Sequence, residues 1–171
     1  MKLCIYSEIT HDQFSDYITE WEATGERIVP SATDRRGRSF GELQDAWRTE
    51  ESEAMNEWGL VPATLYFLVD AHQKILGAIH HRHELTERLM QNGGHIGYGV
   101  RPSERGRGVA SVMLSMLLQE LRGRGHDRVL ITCDDDNASS AGVIEKAGGR
   151  LQDRPVFEGK LTRRYWIELG E

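Results

Sequence analysis

The 171-residue chain predicts a single mixed α/β domain, and three observations carry that reading. Its length suits one hydrophobic core, because domains cluster near roughly 100 to 150 residues and a second would need most of that again. Its composition, 39% hydrophobic and 28% charged, is that of a folded globular protein and not of a disordered or fibrous one. Stretches with a helical period and stretches with strand alternation are interleaved along the chain, with no repeat, low-complexity run or linker to divide the core.

Leu3 to Tyr6 reads as a short strand, followed by a helix from about Asp12 to Thr24, where Phe14, Tyr17, Ile18 and Trp21 recur at i, i+3, i+4 and i+7. Gly25 is the natural stop. A polar loop, Ser31 to Ser39, leads into a helix or helix pair over Phe40 to Trp58. Thr64 to Val69 is β-branched and aromatic, Asp70 to Gln73 is turn-like, and Ile75 to His80 completes a hairpin. Glu84 to Gln91 fits two helical turns, and His95 to Val100 alternates like a strand that Pro102 ends. From Gly108, the spacing of Ala110, Met113, Leu114, Leu117, Leu118 and Leu121 predicts an amphipathic helix closed by Gly123 and Gly125. A strand over Arg128 to Thr132, a helix over Ser139 to Ala147, and strands around Leu151 to Phe157 and Arg164 to Leu169 finish the chain.

Charge and cysteine content exclude several classes. Twenty-seven acidic against 21 basic residues leave a net charge of −6, which disfavours nucleic acid or an anionic membrane as partner. Cys4 and Cys133 are far apart and lack metal-type spacing, so neither a disulfide framework nor a zinc site is encoded, and a reducing cytoplasm fits. Glu8 interrupts the N-terminus before any apolar run reaches signal-peptide length, and no stretch approaches 18 apolar residues, so neither export nor a membrane span is expected.

Eight of the 18 glycines fall between Gly93 and Gly125. Inside that window, Val100-Arg101-Pro102-Ser103-Glu104-Arg105-Gly106-Arg107-Gly108-Val109-Ala110 hands a strand over to a helix. The first turn of a helix leaves four N–H groups unpaired and carries roughly half a positive charge, so it suits an anion. Gly106 and Gly108 would let the backbone close on a diphosphate, and Arg105 and Arg107 add charge. A dinucleotide-type turn would need Gly or Ala where Ser111 stands, and no Gly-Lys-Ser or Gly-Lys-Thr phosphate loop occurs.

The run Arg105-Gly106-Arg107-Gly108-Val109-Ala110 resembles the acyl-CoA signature of the GNAT superfamily of N-acetyltransferases: Gln or Arg, two residues, Gly, one residue, Gly or Ala. The downstream run Asn137 to Gly148 is similar to that family's second motif, an Asn, a Ser three residues on, then Glu-Lys-x-Gly. The stretches 93–106 and 164–169 look like a bacterial branch of it. The resemblance implies one acyl-CoA N-acyltransferase domain over residues 1–171. It implies a sheet of about six to seven strands with helices on both faces, splayed between the strands His95 to Val100 and Arg128 to Thr132. Acetyl-CoA would be the co-substrate, with no metal, and its pantetheine would lie in the gap. By similarity the pyrophosphate sits on amides of Arg105, Gly106, Arg107, Gly108, Val109 and Ala110. A backbone N–H near Val100 polarises the thioester, and Asn137 and Ser140 line the thiol end. A bound amine, on a small molecule or a peptide, would then attack directly, with electrostatic help for the oxyanion.

An amine of pKa near 10.4 is about three units from its free base at neutral pH, a handicap on the order of 4 kcal/mol, so a general base or a deprotonating water path is expected. His95 is the first candidate, at the place where family members often carry Glu, although a strand histidine is more often structural. His80, His81, His83 and Glu84 cluster where family analogy puts the acceptor cleft and could bind substrate or supply the base, with His83 and Glu84 as the expected acceptor contacts. A solvated strand end outweighs metal binding there, because the run lacks an established ligand spacing. The family's Tyr before Glu-Lys, the expected acid for the leaving thiolate, is Ile144 here. Tyr98, Ser139 and Ser140 are substitutes, or the thiolate leaves unprotonated, its pKa resembling that of Cys near 8.5. Cys133 reads as packing ahead of an acyl relay. The competing class is a catalytically weak acyl-CoA sensor or regulatory module, motivated by Ile144. No residue fixes the oligomeric state, and a homodimer is kept as a candidate assembly.

Overall fold

The computed structural model describes residues 1–52 and 60–170. In chain order the elements are β1 Lys2–Ile5, α1 His11–Thr24, α2 Phe40–Glu50, β2 Ala63–Val69, β3 Ile75–Arg82, α3 Glu87–Gln91 and β4 Ile96–Val100. They continue with α4 Val109–Gly123, β5 Arg128–Asp134, α5 Ala138–Lys146, β6 Arg150–Asp153, β7 Val156–Phe157 and β8 Lys160–Glu168. The mixed α/β class is as expected, with eight strands among the described residues where six to seven were expected. The extra strand arises where the expected strand over 151–157 divides around Pro155, which has no N–H to donate to a ladder. Of the helix expected over Phe40 to Trp58, α2 accounts for residues 40–50, and positions 53–59 lie outside the described residues.

Local chemistry sets the helix ends. Thr10 Oγ1 accepts the Gln13 N–H at 3.3 Å while Gln13 Oε1 accepts the Thr10 N–H, a reciprocal cap that starts α1. Ser39 and Glu42 do the same for α2. The expected helix from Glu84 shortens to α3 because Thr86 takes the cap position, its Oγ1 accepting the Leu89 N–H at 3.2 Å.

Strands β1-β2-β3-β4 form one antiparallel sheet, and β5-β8-β6, with β7 on β8, form a second. One face of the first sheet carries α1 and α2, where Phe14, Tyr17, Trp21 and Trp47 pack on Leu65, Phe67 and Ala78. The other face carries α4 and α5. Met113, Leu114, Leu117 and Leu121 are fully buried there and touch both sheets, reaching Leu68, Ile79 and Ile96 in one and Val129, Ile131 and Tyr165 in the other. Since burial of one such side chain stabilises by about 1.5–3 kcal/mol, α4 is the clamp that holds the two sheets in one domain.

The sheets meet edge to edge at the start of β4. The His95 N–H donates to the Leu130 carbonyl at 2.8 Å, and the Leu130 N–H donates back to His95 Nδ1 at 2.9 Å. One step away, the Gly93 N–H reaches Thr132 Oγ1 at 2.8 Å. Beyond this latch no ladder joins β4 to β5 among the described residues, and the strands part.

On the α1 side, β4 is covered at Gly99 by the segment after α1. A Cβ built at Gly99 would lie 1.9 Å from the Val29 carbonyl oxygen, and a main-chain atom cannot swing aside. Gly99→Ala is therefore expected to destabilise the fold by about 1–3 kcal/mol, the usual cost of overpacking, as a lowered urea midpoint at unchanged slope.

Candidate active site

The turn between β4 and α4 is built to leave its amides free. Gly106 and Gly108 sit at φ 74° and 78°, a left-handed conformation that side chains oppose, and this bends the chain so that α4 begins abruptly. The first backbone bond into the helix is the Val112 N–H to the Gly108 carbonyl at 3.1 Å. No described oxygen accepts from the amides of residues 106–111, which include Gly106, Arg107, Gly108, Val109 and Ala110. These N–H groups and the helix dipole make an anion seat open at one end of a cleft of about 650 Å³.

The cleft runs from this turn along β4 to the start of α5. Tyr98, Val100, Asn137 and Ser140 line it on the sides the sequence predicts, and Trp21 and Val29 close it from the segment around the end of α1. The Arg101 N–H bonds the Leu76 carbonyl at 2.9 Å, so the alternation of an antiparallel ladder turns the amides of Tyr98 and Val100 the other way, into the gap.

Charge at the mouth is already partnered. Arg105 lies 4.9 Å over the Trp21 ring and holds Glu26 at 2.8 and 3.1 Å, while Arg107 holds Glu104 at 3.0 Å. The hydrogen bond from Arg105 keeps the Glu26 carboxyl below the usual range. Arg101 is buried, bonded to Asp16 at 2.6 Å and to Glu20, and ties β4 to α1.

Asn137 acts as the cap of α5, its Oδ1 accepting the Ser140 N–H at 3.0 Å. Ser140 Oγ in turn shares a hydrogen bond of 2.8 Å with the Tyr98 hydroxyl across the gap. Burial pushes Tyr98 up to about 12, so its phenol keeps its proton at neutral pH. Ile144 is fully buried in the core beside Gly149. The phenolic hydroxyl at this depth of the cleft therefore comes from Tyr98 on β4 and not from position 144 of α5. Cys133 is buried with its thiol pushed up, so it is protonated and a poor nucleophile.

The acetyltransferase (GNAT) family profile matches residues 15–149. The chain belongs to this family. A curated relative, acetyltransferase SG1711 of Sodalis glossinidius (strain morsitans), is 25% identical over 154 residues, 88% of this chain and 89% of that protein. Among solved structures, a chimera of the spermidine N-acetyltransferase SpeG from Vibrio cholerae and hSSAT superposes with TM-score 0.67 at 12% identity, covering 99% and 97% of the two chains. RimL, a ribosomal-protein alpha-N-acetyltransferase in complex with coenzyme A, superposes with TM-score 0.59 at 18% identity over 92% and 85%. The protein is thus a GNAT acyltransferase that depends on acetyl-CoA, the donor its family uses.

The histidines are sorted by this GNAT fold differently from expectation. His95 forms the latch at the closed end of the splay: Nδ1 accepts from Leu130, which leaves the ring proton on Nε2 and no free lone pair for a base. Burial, with His126 and Arg82 nearby, holds it down to about 4. His83 is exposed and engages Thr64 Oγ1 at 2.9 Å, stacking near His81 on the α4 side of β3. Glu84 is exposed and lines neither the cleft nor a neighbouring cavity. His81 is 2% exposed, and no described residue bonds either ring nitrogen. Among the described residues no group of three or more His, Cys, Asp or Glu side chains is arranged to hold a metal, and no helix is long and apolar enough to cross a membrane.

Sequence reasoning missed Trp21, Glu26 and Val29 as cleft residues. Trp21 belongs to the apolar stripe of α1, and no local signal says that the chain after that stripe folds back over β4.

The His81 and His95 environments make the protein acid-sensitive. Burial holds His81 down to about 3 and His95 to about 4, against about 6.5 in the unfolded chain, so the unfolded state binds more protons between those values. Their contribution is intact above about pH 6.5 and is lost progressively as pH falls from there towards about 3, on the order of several kcal/mol in all. Urea midpoints taken between about pH 7.5 and about pH 5 should fall, and His81→Leu should flatten that slope.

Proposed function

We propose that the protein moves the acetyl group of acetyl-CoA to a primary amine by direct attack, with donor and acceptor bound together. The observation that carries this reading is the unbroken run of unpaired amides at residues 106–111, opening into a cleft whose far end holds the Tyr98–Ser140 pair. A diphosphate would find six main-chain donors and a helix N-terminus there. Pantetheine would lie along β4 and complete the ladder that β5 leaves open, taking hydrogen bonds from the inward amides of Tyr98 and Val100. An N–H aimed at the thioester carbonyl stabilises the charge that develops on its oxygen.

Tyr98 supplies the proton that the departing sulfur needs. A neutral phenol, held by Ser140 and kept from ionising by burial, is a donor at every pH at which the amine is a nucleophile. It takes the role that Ile144 cannot. Ser140 positions the ring, and Asn137 positions Ser140 through the α5 cap. The buried, unpaired cysteines Cys4 and Cys133 suit a reducing compartment such as the cytoplasm.

Calorimetric titration with acetyl-CoA, followed by thiol release with a panel of primary amines, tests the reading. Binding in the low micromolar range or better with amine-dependent release is expected; binding without release from any amine would favour a sensor instead. Tyr98→Phe should lower kcat about 10- to 100-fold and leave acetyl-CoA affinity unchanged, the pattern of a group used only in the transition state.

A further inference from the structure

We propose that His80, oriented by Glu50, is the base that deprotonates the acceptor amine, and that the acceptor enters over Gly97 on the α1/α2 face of β4. The inference rests on the N-acetyltransferase reading above and assigns its acceptor side.

His80 Nε2 lies 3.2 Å from Glu50 Oε2, bringing a β3 side chain together with the end of α2. A carboxylate accepts only, so the ring proton sits on Nε2 and the lone pair is left on Nδ1, the nitrogen nearer its own backbone. No described residue bonds Nδ1. This is the reverse of His95, whose Nδ1 lone pair is consumed by a backbone N–H.

Register places this base beside the reacting strand. His80 pairs with Gly97, so the two project to the same face, and Gly97 has no side chain to fill the space before the ring. A Cβ at Gly97 would have nothing nearer than the Arg82 guanidinium at 3.8 Å. A cavity of about 230 Å³ borders His80 on the β3 side, with Glu50, His80 and Arg82 facing Leu60, Val61 and Leu89. Gly97, across the ladder from His80, is two residues along β4 from Gly99, a wall of the acyl-CoA cleft, and two residues of extended strand span about 7 Å. Attacking nitrogen and thioester can thus meet at the edge of β4 that faces the gap, beside Gly97.

The charged groups around the base are Glu50 from α2, Arg82 on β3, which bonds the Gly93 and Gly94 carbonyls at 3.0 and 3.1 Å, and Arg88 from α3. His83 lies on the other face. Glu50 attracts the incoming ammonium, whereas Arg82 and Arg88 favour its release of a proton.

The steps balance. His80 Nδ1 takes one proton from the ammonium, and the freed pair on nitrogen forms the N–C bond to the carbonyl carbon. The C–S bond breaks with its pair on sulfur, which takes the Tyr98 proton. The second proton on the new amide nitrogen returns through water to the phenolate, and His80 releases its own to solvent, one proton per turnover.

The test uses the whole protein with acetyl-CoA and three amines: spermidine, phenylalanine amide and a tetrapeptide with a free N-terminus. With whichever turns over, His80→Gln should lower kcat/KM by about 10²- to 10³-fold, abolish the acid limb of its pH profile and leave acetyl-CoA affinity unchanged. Glu50→Gln should move that limb, as expected of a positioning residue. Gly97→Ala, which meets no clash, should raise the acceptor KM roughly tenfold with acetyl-CoA binding intact, a readout free of any folding defect in the histidine variant. Turnover in His80→Gln within about threefold of wild type, with the limb retained, overturns this assignment alone. Absence of turnover by the wild type with all three amines overturns the N-acetyltransferase reading and the assignment with it.

Discussion

The parting of β4 from β5 is the constraint on which the rest of the molecule depends. Buried main-chain donors and acceptors are almost always paired, and a strand that loses its neighbour exposes a row that something else must satisfy. The reciprocal bonds between His95 and Leu130 fix where the ladder ends. The α4 clamp fixes how far the sheets can separate, since its apolar face reaches both. Between those limits, the amides of Tyr98 and Val100 face a gap whose natural occupant is an extended, amide-bearing chain. The anion seat at residues 106–111 lies at the mouth of the same gap because α4 is both the clamp and the helix whose N-terminus opens there.

The chemistry then divides by face. β4 carries glycine at 97 and 99 and tyrosine at 98, and strand alternation sends the glycines to the α1/α2 side and the tyrosine to the α4/α5 side. The phenol of Tyr98 and the open space at Gly97 thus come from neighbouring positions of one strand, on opposite faces. The Val29 carbonyl fills the space beside Gly99, whereas a Cβ at Gly97 would meet nothing nearer than 3.8 Å, so the segment after α1 covers one glycine and not the other. Small residues at both positions follow from this geometry.

Much of this was legible in the sequence. The period of α4, the glycine-arginine turn and the Asn137 cap are local patterns, and they mark the seat, the clamp and the thiol end of the cleft. The latch was not legible, because a histidine whose ring serves a backbone amide 35 residues away looks the same in sequence as one that serves a substrate. Sorting the β3 histidines was within reach: a period of two puts His81 and His83 on one side and His80 with Arg82 on the other. What the sequence lacked was the identity of each side, which is set by the α1 and α2 packing and by Val29 crossing Gly99. In the sequence Tyr98 is already a candidate for the hydroxyl missing at Ile144, and what only the structure shows is that it meets Ser140 across the gap.

The arginines of the turn refine the reading of its charge. Each is held by a carboxylate, Arg105 by Glu26 and Arg107 by Glu104, and these groups are well exposed apart from Glu104. Exposed pairs of this kind contribute little to stability, so their value lies elsewhere. Arg105 is kept extended over Trp21 at the mouth of the cleft, where loss of side-chain freedom has already occurred before any ligand arrives. An anion that recruits Arg105 must displace Glu26, and only one of higher charge density than a single carboxylate gains by the exchange. A diphosphate meets that condition and a lone carboxylate does not. On the proposed reading, neutral main-chain donors would hold the anion and the paired arginines would select which anion is worth holding.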